Sequence, residues 1–156
     1  MASRRFSQAG GTADGALLHG YRIVVVATAV GPMVEAAGGF LCDRGRAGWD
    51  VKVLLAEPCD PRPLAILGVS GYGPQETSVD IASQIRGLPR GTTVVVGAEL
   101  RVEFGQGLAP IRHELSPAAR AFKTHALRAA ARSGTAEPVE ELYRVCGESY
   151  RRLHSV

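Results

Sequence analysis

The chain has 156 residues, 46% of them apolar and 21% charged, with three cysteines and a net charge of +3. That is enough chain to bury one core unaided, and Cys42, Cys59 and Cys146 form no C-x-x-C pair, which argues against a disulfide framework or a zinc cluster. No stretch is apolar for the length a membrane span needs, and residues 1–19 have no long apolar core flanked by a cleavage site, so a cytoplasmic protein without membrane contact is expected.

Residues 1–19 are rich in Gly, Ser, Ala and Thr without periodicity and read as a disordered arm. Residues 20–156 read as one Rossmann-like α/β domain. Its opening unit is Arg22 to Glu57. Arg22-Ile23-Val24-Val25-Val26-Ala27 is β-branched and apolar on both faces, as in a strand covered by helices on either side. Gly31-Pro32 breaks that strand and starts a helix on which Val34, Ala37, Leu41 and Gly45 share one stripe. Gly38-Gly39 weakens this helix, and close packing against the strands is the expected reason. Asp50 to Ala56 is the second strand, with Glu57 at its exit.

Asp60-Pro61 and Gly68 punctuate a short helix at about 61–67, and Val69 to Tyr72 is a short third strand. Thr77-Ser78-Val79-Asp80 begins a helix carrying Ile81, Ile85 and Leu88, which stops at Pro89. Thr92 to Gly97 is a second all-apolar strand. The order β, α, β, α, β, α, β predicts a small doubly wound parallel sheet of about four strands, in the order 3-2-1-4.

The last third differs. Glu103 to Pro110 is turn-rich, and two C-terminal helices follow. The first, 116–132, has Leu115, Ala119, Phe122, Ala126 and Ala129 on one face and Arg120, Lys123, Arg128 and Arg132 around the rest. The second, 138–153, has Val139, Leu142, Tyr143, Cys146, Tyr150 and Leu153 at helical spacing. These helices have the sheet, each other or a second subunit as packing partners, so a homo-oligomer formed through them is one expected assembly. Most of the basic excess lies beyond Arg112. A modest excess of this kind usually marks a solvated helical surface, and nucleic acid is not the expected partner.

Chemical motifs are few. G-x-x-x-x-G-K-[ST], H-E-x-x-H, G-x-S-x-G and paired-Cys metal signatures are all absent. Ser70 sits in Gly68-Val69-Ser70-Gly71-Tyr72, where Tyr72 replaces the glycine a nucleophile elbow needs. His19, His113, His125 and His154 lack metal-ligand spacing, and no metal site is expected.

What remains is the geometry of the sheet. The turn Thr28 to Pro32 leads into a helix N-terminus, whose N–H groups and dipole favour an anion. In strand order 3-2-1-4 the ligand crevice falls between the first and fourth strands, bringing Thr28 and Gly31 towards Gly97, with Glu57 one strand away. These four are the candidate cofactor-binding residues, for a nucleotide or dinucleotide, and Glu99 is the candidate acid or base. The glycine fingerprint G-x-G-x-x-G is absent, and Gly31 as a plain turn residue and Glu57 as a polar strand exit stand as the alternative.

Arg22 to Glu57, with Gly48-Trp49-Asp50-Val51 leading into its second strand, resembles the first β-α-β of nucleotide-sugar glycosyltransferases built from two Rossmann domains. The same element order opens flavin-binding decarboxylase-like folds. The first resemblance implies a nucleotide-binding half, without the second domain a complete glycosyltransferase needs; no family is assigned. Two function classes stay open. One is a small-ligand-binding domain for a nucleotide or phosphorylated metabolite, with or without catalysis; the other is a regulatory module docking through its C-terminal helices. If the arm is unpacked, deleting residues 1–18 leaves the melting temperature within about 5 °C of the parent in a thermal scan.

Overall fold

The computed structural model describes residues 22–72, 85–89, 91–100 and 107–146. Its elements are β1 (Arg22–Ala27), α1 (Val30–Arg46), β2 (Asp50–Leu55), α2 (Arg62–Leu67), β3 (Ser70–Tyr72), β4 (Thr93–Val96), a 3-10 turn (Ala98–Leu100), β5 (Leu108–Glu114), α3 (Pro117–Ala129) and β6 (Val139–Val145). The architecture is mixed α/β. Among the described residues six strands, against the four or so expected, form one sheet in the order β3-β2-β1-β4-β6-β5. The first four are parallel, in the order 3-2-1-4 expected from the sequence; β6 runs antiparallel to β4, and β5 antiparallel to β6.

Alternation along the buried strands divides the core in two. Ile23, Val25, Val53, Leu55 and Val95 face Met33, Val34 and Leu41 of α1, Leu64 and Leu67 of α2, and Ala119, Ala126 and Leu127 of α3. Val24, Val26, Leu54, Val94 and Val96 face the other way, onto Ile85, Leu100 and Val145. Of the helix expected from Thr77 to Leu88, residues 77–84 lie outside the described residues, while Ile85 is fully buried. Gly48 (φ 93°) and Gly68 (φ 77°) end α1 and α2 in the left-handed region, where a side chain would be strained.

Two corrections concern the last third. Residues 139–145 form strand β6, so the helix expected over 138–153 is not formed there; Tyr150 and Leu153 lie outside the described residues. The strand occupies the slot between β4 and β5, giving both a backbone partner that a helix would deny them. Its alternation serves both faces, with Leu142 in the core under α1 and α3 and with Val145 and Tyr143 against the other core. Among the described residues, only the first of the two C-terminal helices expected as an oligomer surface is helical.

Strand β5 falls partly where only turns were expected. Gly107 O accepts from Cys146 N (2.8 Å) and Pro138 O accepts from Leu115 N (2.9 Å). By alternation, Leu108, Pro110, Arg112 and Glu114 direct their backbone groups away from β6, towards the open edge. Pro110 thus stands where its missing N–H takes nothing from the ladder and blunts the edge against pairing.

Helix α3 is rotated from its expected face: Ala119, Lys123, Ala126 and Leu127 are buried, and Phe122 is 39% exposed beside Arg46. Lys123 is buried because Glu140 of β6 meets it. Lys123 Nζ lies 2.7 Å from Glu140 Oε2, with the two side chains 3% and 2% exposed. Glu140 also accepts the backbone N–H groups of Gly39 and Phe40 (both 2.7 Å), and Lys123 Nζ donates to the carbonyl of Glu35 (2.7 Å). In an α-helix the N–H of Gly39 would point at that same carbonyl. The ion pair therefore sits across one rung of α1.

This explains the glycine pair. A Cβ at Gly38 would lie 3.3 Å from Lys123 Cγ, and one at Gly39 would collide with Leu115. The close approach is by α3 and the chain leading into it, not by the strands. Removing one partner of a buried ion pair strands the other charge. Glu140→Ala and Lys123→Met should each cost about 3–5 kcal/mol in urea unfolding, while the double variant Lys123→Met with Glu140→Leu should cost less than the sum of the two single changes.

Candidate functional site

The parallel strands β1, β2 and β4 end together. Pairing runs past β1, with Ala27 O accepting from Ala56 N (3.2 Å) and Thr28 O from Glu57 N (3.0 Å), so Thr28 and Glu57 are neighbours. The β1 to β4 register pairs Val26 with Val96, which sets Gly97 beside Ala27. Gly97 is buried against α1, where a Cβ would lie 2.9 Å from Ala36 Cβ. Glu99 lies in the 3-10 turn after β4, and its side chain lies outside the described residues. The backbone thus brings Thr28, Gly31, Glu57 and Gly97 to one end of the sheet.

Helix α1 begins here. Its N-cap, Ala29, has an extended backbone (φ −143°, ψ 163°) and supplies no side-chain cap. Over its first turn lies Arg132, a residue whose part the sequence did not reveal. A Cβ on Gly31 would stand 2.5 Å from Arg132 Nε and 2.7 Å from its Nη2. Arg132 Nη1 lies 3.5 Å from Glu35 Oε1, with the side chains 39% and 49% exposed. Pairs of that length and exposure are worth about 0–1 kcal/mol, so an anion can compete for the guanidinium. The only sequence signals for this arrangement were the glycine at 31 and the basic stretch ending at Arg132.

A second cluster joins the other end of α1 to β5 and α3. Asp43 Oδ1 accepts from the Ser116 hydroxyl (2.5 Å), and Asp43 Oδ2 accepts from Ser116 N (3.0 Å) and His113 Nε2 (2.9 Å). Ser116 Oγ in turn accepts from Ala119 N (3.0 Å), capping α3. Ser, His and Asp meet here, but the carboxylate is in the middle. A nucleophilic serine needs the imidazole between itself and the acid, so this arrangement activates nothing and serves as a clamp.

Burial pushes the Asp43 carboxyl up, but the hydrogen bonds from Ser116 and His113 outweigh it and hold the group below its ordinary value. Cys42 and Cys59 are free thiols pushed up by burial, the opposite of activated nucleophiles. Among the described residues no group of three or more His, Cys, Asp or Glu side chains is placed to hold a metal ion. No helix among them is long and apolar enough to cross a membrane.

No protein-family model matches the chain, and no curated protein does. Solved structures do share its fold. The A40926 pseudoaglycone deacetylase Dbv21 superposes with a TM-score of 0.51 over 79% of this chain and 96% of its own, at 13% identity. A deacetylase of the teicoplanin biosynthetic pathway, solved as a triple mutant, gives 0.54 over 79% and 97%, at 12% identity. At such identity the likeness is one of fold.

Because the folded-state pKa of Asp43 is depressed, its stabilisation is complete above the unfolded value of about 3.9 and is lost as the pH falls through the lower folded value. Asp43→Asn should therefore cost about 2 kcal/mol in urea unfolding near neutral pH, by weakening hydrogen bonds to a charged group. The gap between parent and variant should narrow only below a pH of about 4, and a gap that narrows already at about pH 6 would point to a different group.

Proposed function

We propose that this chain binds a small anionic molecule, a nucleotide or sugar phosphate, at the end of the sheet where α1 begins. The observation that carries this reading is the Arg132 guanidinium resting on Gly31, over the first turn of a helix with no side-chain cap. A phosphate placed there meets a planar guanidinium and the positive end of the helix together. Gly31 is the residue whose missing side chain lets the two coincide. Thr28 and Glu57 border the site, Gly97 lies at the same end of the sheet against Ala36 of α1, and a dinucleotide would extend towards Glu57 as in other sheets of this order. Should the bound molecule be turned over, Glu99 is the acid–base group.

Support of a second kind comes from the solved chains with this fold, which are deacetylases of the A40926 pseudoaglycone and of the teicoplanin biosynthetic pathway. The docking reading named two C-terminal helices as its surface. Residues 139–145 of the second are a strand, and the first is packed against α1 and α2, which favours the ligand-binding reading.

Glu35 distinguishes this site from a surface ion pair. It competes with the anion for Arg132, so its charge opposes binding. In calorimetric titrations with nucleotides and sugar phosphates, Gly31→Val and Arg132→Ala should each weaken binding by about tenfold or more, and Glu35→Gln should tighten it. Binding that survives Gly31→Val and Arg132→Ala in folded protein, or that Glu35→Gln leaves unchanged, would move the ligand elsewhere.

A further inference from the structure

A second site lies on the β5–β6 ribbon, away from Gly31 and Arg132. Only Val95 and Val96 of β4 pair with β6, opposite Arg144 and Tyr143, whereas β5 pairs with β6 from Val139 to Val145. Among the described strands, residues 139–142 are thus an overhang paired with β5 alone. One face of it, with Glu140, Leu142 and Ile111, is closed by α1 and α3. On the other face is a cavity of about 330 Å³ lined by Pro110, Ile111, Arg112, Glu141, Leu142 and Tyr143. Its volume is at the lower end of the range for small-molecule sites.

The lining is graded. Tyr143 packs against the second core and Pro110 lies opposite it, so the inner wall is apolar. Arg112 and Glu141 stand opposite each other at a non-hydrogen-bonded position, where side chains of facing strands are closest. Opposite charges so placed ordinarily close on one another. Here both are exposed and neither joins an ion pair among the described residues.

A plain anion would be repelled by Glu141, and a plain cation by Arg112. A molecule bearing both charges a few bonds apart, with an apolar remainder, satisfies every wall. We propose that this cavity binds a free α-amino acid or an equivalent small zwitterion. Arg112 takes its carboxylate in bidentate fashion, Glu141 takes its ammonium, and Pro110 with the Tyr143 ring holds its side chain.

The test is a titration of the full ¹⁵N-labelled chain with L-phenylalanine, N-acetyl-L-phenylalanine and L-phenylalaninamide, followed by amide shifts. Free L-phenylalanine should move the amides of residues 111, 112 and 141–143, and each blocked probe should bind about tenfold more weakly or worse, since each loses a hydrogen-bonded charge. Arg112→Gln should make L-phenylalanine and its amide equal, and Glu141→Gln should do the same for L-phenylalanine and its N-acetyl form. Both side chains are exposed, so the variants should unfold at the parent's urea midpoint. Absence of shifts in this ribbon at about 20 mM amino acid, well above ordinary metabolite-site affinities, would overturn the proposal. So would blocked probes binding as well as the free amino acid, since that leaves only an apolar depression. The anion titrations at Arg132 are independent of either result.

Discussion

The packing of the helical layer depends on one buried ion pair, Lys123 with Glu140. Three elements meet at it, α1 from early in the chain and the successive α3 and β6, and each supplies groups that would be stranded without the others. A lone ammonium or carboxylate in this position would face a desolvation penalty of several kcal/mol. Here the carboxylate accepts two backbone N–H groups and the ammonium, while the ammonium also reaches a carbonyl. Such satisfaction is what makes a buried pair tolerable, and its value lies in selecting one arrangement. A β6 shifted by one residue would turn Glu140 to the opposite face of the sheet, and Lys123 would be left without its partner.

Helix α3 holds α1 at three levels. Ser116 at its start meets Asp43, Lys123 in its middle meets Glu35 and the Gly38-Gly39 pair, and Arg132 beyond its end meets Gly31 and Glu35. The two helices therefore run antiparallel along their length. The small residues of α1 that weaken it as an isolated helix let α3 approach closely enough for these contacts, so the local cost of glycine is offset by tertiary contacts.

The parallel half of the fold was legible because its signals are local. Buried β-branched runs at β1, β2 and β4, a proline near a helix start and a glycine at a helix end each follow from short-range physics, and the strand order 3-2-1-4 follows from connection rules. The antiparallel half was not. Val139, Leu142, Tyr143 and Cys146 fit helical spacing, and the residue that breaks that reading is Glu140, whose burial depends on a lysine seventeen positions earlier that itself looked like surface. Pro110 hid β5, because the open edge that makes a proline harmless there is a property of the whole sheet. At the candidate site, Thr28, Gly31, Glu57 and Gly97 could be placed from topology alone. Arg132 could not, since it arrives from beyond α3 through a packing angle no local pattern encodes.

Glu35 joins the structural centre to the proposed site, and it does so with two separate groups. Its carbonyl accepts from the buried Lys123 ammonium, while its carboxylate is half exposed and holds Arg132 only loosely. An anion that takes Arg132 from the carboxylate leaves the carbonyl contact in place, because the side chain can swing into solvent without moving the helix. Were the proposed anion to bind, exchange of partners at Arg132 would thereby be separated from the packing of α1. A stable core and a replaceable ion pair can then occupy successive turns of one helix, which is the arrangement a binding site next to a rigid sheet requires.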